Sequence, residues 1–143
     1  LIATFRVYLK RRAGRGVGDF FVVQFYRTKE QMRNAARIRV RADGLSAGSF
    51  AHTLGFCLWY TKLRRRKDRL VRQRECGTVY LCSVAGGAGV VAHEMTHAAY
   101  AWLCGRKGWR PRWKDKALDE DIAWTVGWLV TQYWREYWKR FAK

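Results

Sequence analysis

A chain of 143 residues is sized for one compact domain, 1–143, with no room for a second of ordinary size. Its hydrophobic fraction of 49% and aromatic fraction of 15% exclude a disordered polyelectrolyte, and no apolar run approaches the ~18–20 residues of a transmembrane span. Charge is the outlier: 29 Lys and Arg against 11 Asp and Glu give +18, which speaks to anionic partners rather than to fold.

The opening "LIATFRVYLKRR" has a short apolar run broken by Arg6, and a basic stretch stands where a signal-peptide cleavage site would be. "TFRVYLKR" (Thr4 to Arg11) alternates and is predicted as a strand. "RAGRGVG" (Arg12 to Gly18) is a turn, and "DFFVVQFY" (Asp19 to Tyr26) is a second, more buried strand completing a hairpin. "TKEQMRNAARI" (Thr28 to Ile38) opens with Thr28 as N-cap and Gln31 three residues on, a capping-box pattern. Its inward face should carry Met32, Ala35, Ala36 and Ile38.

"ADGLSAGS" (Ala42 to Ser49) reads as a loop, and "HTLGFCLWYTK" (His52 to Lys62) as a strand whose glycine marks a bulge. "LRRRKDRLVRQRE" (Leu63 to Glu75) is a charge-dense excursion, followed by the short strand "GTVYLCS" (Gly77 to Ser83). A glycine-rich turn then opens a helix running to Leu103 or Cys104, with Gly105 as its stop. "RKGWRPRWKDK" (Arg106 to Lys116) is a basic loop with the single proline, and Ala117 to Phe141 reads as one long amphipathic helix. The expected fold is α+β, a small mixed or antiparallel sheet with two helices toward the C-terminus.

The four cysteines, Cys57, Cys76, Cys82 and Cys104, lack zinc-knuckle spacing and disulfide-scaffold density. Cys57 and Cys82 fit small buried hydrophobes, a Cys76–Cys82 bridge has nothing to support it, and a reduced, cytoplasmic setting is expected.

The chemistry concentrates in "GVVAHEMTHAAYAW", Gly89 to Trp102. On a helix, His93 and His97 stand one turn apart on the same face, so both imidazoles can reach one zinc ion at about 2.0–2.1 Å. Glu94, one step around, can take a proton from a water whose pKa the metal lowers to ~7. The competing reading is a helix with two structural histidines. A hydrolytic site needs a third ligand and an open position. Leu103 stands where a further histidine of the H-E-x-x-H-x-x-G-x-x-H pattern would be, which leaves a carboxylate, the upstream His52 or a thiol.

The cluster Asp119, Glu120, Asp121 offers carboxylates at the start of the last helix. Glu120 is preferred because Ala123 and Gly127 share its face and would let that helix approach the Ala-lined motif helix closely. Asp119 and Asp121 are the alternatives, or would orient the imidazoles through their free N–H groups. Acids at a helix N-terminus also suit its dipole without any metal. Tyr100 could offer a phenol to an oxyanion, although such a tyrosine is more often core.

"HEMTH" at 93–97 with the downstream "EDIA" resembles the zincin metallopeptidases, and within them the glutamate-ligand gluzincins. Small ImmA/IrrE-like members carry a glutamate followed three residues later by alanine, as Glu120 and Ala123 do here. SprT-like proteases are also short and basic, but their third ligand is a histidine, which this chain lacks. The resemblance runs from the strand at Gly77 to the last helix. It implies one Zn2+ per chain, ligands His93, His97 and Glu120, a protein substrate, and Glu94 as general base and later proton donor.

Lys62, Arg64, Arg65, Arg66, Lys67, Arg69, Arg72 and Arg74 crowd one stretch, and Arg110 and Arg112 interleave with Trp109 and Trp113 in another. Arginine beside exposed aromatics suits phosphate and unpaired bases, whereas the plainer reading packs the tryptophans under their loop. The last helix carries Trp124, Trp128, Tyr133, Trp134, Tyr137 and Trp138, enough to cover a small core or to support self-association. Two function classes therefore compete. One is a zinc metallopeptidase; the other is a basic protein of phage or mobile-element type that binds nucleic acid or an acidic partner, with a structural or vestigial zinc site.

Overall fold

The computed structural model describes residues 1–10, 16–42, 54–84, 87–107 and 116–142. Strands β1 (Ala3–Lys10) and β2 (Gly16–Tyr26) precede helix α1 (Lys29–Ala42). Four strands follow: β3 (Phe56–Trp59), β4 (Leu63–Arg66), β5 (Arg69–Arg72) and β6 (Glu75–Cys82). Helices α2 (Ala88–Lys107) and α3 (Lys116–Phe141) complete the chain, an α+β arrangement as expected.

The main sheet has the order β1-β2-β6-β3. β1 and β2 form the anticipated antiparallel pair, and β3 is antiparallel to β6. β2 and β6 run parallel, a long-range pairing that no local pattern announces. Strand β6 is central and buried from Cys76 to Cys82, so its apolar run faces a layer on each side. Val79 and Leu81 join the larger core with Phe5, Val7, Phe21, Val23 and the inner faces of α2 and α3. Tyr80 and Cys82 join the smaller core under α1, with Met32, Ala36 and Val40.

Thr28 caps α1 as expected, its Oγ1 accepting from Gln31 N–H at 3.2 Å. The helix runs four residues beyond Ile38, so the inward stripe is Met32, Ala36, Val40 while Ile38 is 70% exposed. Ile38 is two positions from both Ala36 and Val40, which turns it away from a face defined by steps of four.

Helix α3 lies across β1. The Gln132 amide oxygen accepts from Tyr8 N–H at 3.0 Å and its NH2 donates to Tyr8 C=O at 2.6 Å. Trp128 Nε1 donates to the same carbonyl at 3.0 Å. At Tyr8 the edge strand's backbone N–H and C=O are thus satisfied by side chains instead of being left to pair with another chain. On the inner side of α2, the buried Trp102 Nε1 donates to the buried Asp19 carboxylate at 3.0 Å, tying that helix to the start of the long strand.

Two other expectations change, while the cysteines are as expected. Gly105 does not end α2, which continues to Lys107, because nothing crowds a side chain there and no left-handed cap is formed. The charge-dense excursion is a β-hairpin, β4 with β5. All four cysteines are free, so no Cys76–Cys82 bridge exists, and Cys57 and Cys82 are buried as small apolar groups. Among the described residues no helix is long and apolar enough to cross a membrane.

Candidate metal centre and its general base

Strand β6 ends at Cys82 and α2 begins at Ala88, antiparallel to the strand it covers. Burial of Val91, Met95, Ala98, Trp102 and Leu103 fixes the rotation of α2 about its axis. The same rotation presents His93, Thr96, His97 and Tyr100 on the exposed side.

His93 and His97 converge there. Their Nε2 atoms are 3.1 Å apart and their rings nearly perpendicular, at 81°. Two nitrogens at 2.0–2.1 Å from a tetrahedral zinc stand about 3.3 Å apart, so this spacing fits a chelating pair. The same separation also suits an N–H···N hydrogen bond between neutral rings. Burial, and then the neighbouring His93, hold His97 below the ordinary imidazole range, which favours the neutral form a metal requires.

Glu94 is only 5% exposed, on the side of α2 that meets β3. Burial pushes its pKa up to about 7, where a carboxylate can both accept and release a proton near neutrality. The Cys57 thiol on β3 is raised in turn, by its own burial and then by the Glu94 charge.

Gly55, at the head of β3, is a contributor that sequence reasoning passed over. A Cβ at Gly55 would lie 2.7 Å from Glu94 Cγ and 2.9 Å from its Oε1. The sequence pattern suggests a bulge at this glycine, whereas in the fold it makes room for the carboxylate; a glycine in a strand segment signals either cause. Gly55→Ala is expected to cut any Glu94-dependent turnover by about 10–100-fold, since displacing a catalytic group by ~1 Å costs that much. Metal content should be unchanged, and steady-state kinetics beside metal analysis checks both.

Tyr100 is 44% exposed, on the same side of α2 as His93 and His97. The acids of α3 are placed differently from the expectation. Glu120, Ala123, Gly127 and Thr131 form the exposed stripe of α3, and a Cβ at Gly127 would meet nothing within 4 Å. The close approach expected through Ala123 and Gly127 is therefore not made there. Helix α3 packs instead through Ile122, Val126, Leu129 and Tyr133, because its bulky residues, not its small ones, fill the space above β1 and α2. Asp121 is half-buried, one turn before buried Thr125.

Among the described residues no set of three or more His, Cys, Asp or Glu side chains is arranged to hold a metal ion. His52, Trp109, Arg110, Arg112 and Trp113 lie outside the described residues, and for Asp119 only the backbone is described. No protein family, curated protein or solved structure gives a match to this chain.

Proposed function

We propose that the protein is a zinc-dependent metallopeptidase that hydrolyses peptide bonds of a protein substrate. The observation that carries this reading is the 3.1 Å convergence of two imidazole nitrogens on the exposed side of a helix whose next residue is a buried carboxylate. A zinc ion held by His93 and His97 would supply Lewis-acid polarisation of the water and of the scissile carbonyl. Glu94 takes a proton from the attacking water as its oxygen bonds to the carbonyl carbon. It then delivers that proton to the departing amine as the C–N bond breaks. A structural metal site has no use for such a base.

The third donor comes from the acidic cluster 119–121. Glu120 lies on the exposed stripe of α3, Asp121 is half-buried, and only the backbone is described for Asp119. Strand β3 supports the same reading from the substrate side. It is an edge of the sheet, and the glycine that touches Glu94 immediately precedes it. An extended peptide adding to that edge would run its backbone past the carboxylate.

Metal analysis tests the proposal. The purified protein should hold about one zinc per chain, and His93→Ala or His97→Ala should lose it together with proteolysis of an unfolded protein substrate. Of Asp119→Asn, Glu120→Gln and Asp121→Asn, the variant that lowers zinc retention identifies the third donor. Full zinc occupancy in both histidine variants would remove this site from consideration.

A further inference from the structure

We infer that the β4–β5 hairpin is a nucleic-acid-binding ribbon that enters the major groove of duplex DNA. Backbone bonds from Tyr60 N to Cys76 O and from Gln73 N to Lys62 O carry the β3–β6 ladder outward into it. Every residue of both strands is exposed. From Lys62 to Arg74 there are eight Lys or Arg against the single Asp68. The base is anchored by the Lys62–Glu75 ion pair and by Arg74, whose guanidinium lies over Gly18.

Register shows how the charge is distributed. Cross-strand partners share a face, and the pairs are Leu63 with Arg72, Arg64 with Val71, Arg65 with Leu70, and Arg66 with Arg69. Arg64, Arg66 and Arg69 therefore stand on one face, and Arg65 and Arg72 on the other. Lys67 holds the tip, in a left-handed conformation with φ of 52° that a glycine or asparagine would adopt at lower cost. Beside the hairpin a cleft of about 740 Å³ is lined by Arg64, Arg65, Arg66, Lys67, Arg72 and Arg74.

Such a ribbon is poorly stabilised by itself. A lone two-stranded hairpin is marginal in water, this one has no buried side chain, and Arg66 faces Arg69 directly. An anionic partner relieves that repulsion. Its form follows from the two charged faces: a lipid headgroup plane would meet one face only, whereas a groove offers a phosphate wall to each. The B-form major groove, about 12 Å wide, admits a two-stranded ribbon. Leu63 and Leu70, 52% and 69% exposed, would meet sugar and thymine methyl groups between the phosphate contacts.

The test is fluorescence anisotropy of the full chain with a short mixed-sequence DNA duplex across a salt series. Wild type should bind with a steep salt dependence. Arg64→Gln/Arg66→Gln/Arg69→Gln should weaken binding at least about tenfold and flatten the log–log salt slope by about 2.7, near 0.9 per lost phosphate contact. Arg65→Gln/Lys67→Gln/Arg72→Gln, on the other face and the tip, should flatten it comparably. Lys29→Gln/Arg37→Gln/Arg41→Gln removes equal charge from α1 and should leave the slope near wild type. Circular dichroism should show all three folded, since the ribbon residues are exposed.

Unchanged binding in either ribbon variant, or an equal loss in the α1 variant, overturns the inference. So does equally tight, ribbon-dependent binding to phosphatidylserine vesicles or to polyglutamate. The measurement is repeated with chelated protein and with Glu94→Gln, where binding should persist, so its outcome is independent of the peptidase reading.

Discussion

Glu94→Gln should retain zinc, lose proteolysis by roughly 10²–10⁴-fold, and at the same time make the metal-free protein more stable above neutral pH. The two effects share a cause. Burial raises the carboxyl from an ordinary 4.5 to about 7, so the folded state prefers the protonated acid. A folded-state pKa above the unfolded one gives stability that is complete below pH 4.5 and is lost as pH rises through about 7. At pH 8 the ionised carboxylate costs the metal-free fold about 3 kcal/mol, and a neutral amide of the same shape avoids most of that. Denaturant unfolding of chelated wild type and variant should coincide at pH 4.5 and diverge at pH 8, with the variant more stable. Equal stability at pH 8 would show that the side chain is solvated. Undiminished proteolysis would remove Glu94 from the chemistry.

Gly77→Ala is expected to be the most damaging single-methyl change, at about 3–4 kcal/mol or roughly 10 °C in Tm. Gly77 pairs with Trp59 across the β3–β6 ladder. A Cβ there would lie 2.2 Å from the Leu58 carbonyl oxygen, 2.6 Å from the Phe21 ring and 2.9 Å from Trp59 Cα. Two of those atoms are backbone and cannot swing aside, so β3 must leave the sheet, taking Gly55 away from Glu94. Gly127→Ala is the matched contrast, in an exposed helical position where a Cβ meets nothing within 4 Å. It should stabilise α3 by about 1 kcal/mol. Thermal melts of the two variants beside wild type check both signs; a harmless Gly77→Ala would mean that β3 is not seated as described.

Several local features were legible because they are written in near-neighbour chemistry. The first hairpin follows from an alternating strand and an apolar one on either side of a glycine-rich stretch, and the α1 start from Thr28 and Gln31. The pairing of His93 with His97 follows from the 3.6-residue period alone. The Arg-rich stretch hid its strands, since every residue there is exposed and no burial alternation marks the period of two. Its conformation is imposed by the ladder it extends.

The sequence by itself determined the α+β class, the helix that sets two imidazoles one turn apart with a carboxylate one step around from the first, and the excess of cations. These depend on periodicity and composition, which are properties of contiguous residues. Only the tertiary structure decided that β2 and β6 run parallel, that Gly55 leaves space for Glu94, and that α3 turns its Glu120 stripe outward and its Ile122 and Leu129 side inward. Each of these is a competition for a shared volume between residues distant in the chain, and close packing settles it by which side chains fill the space.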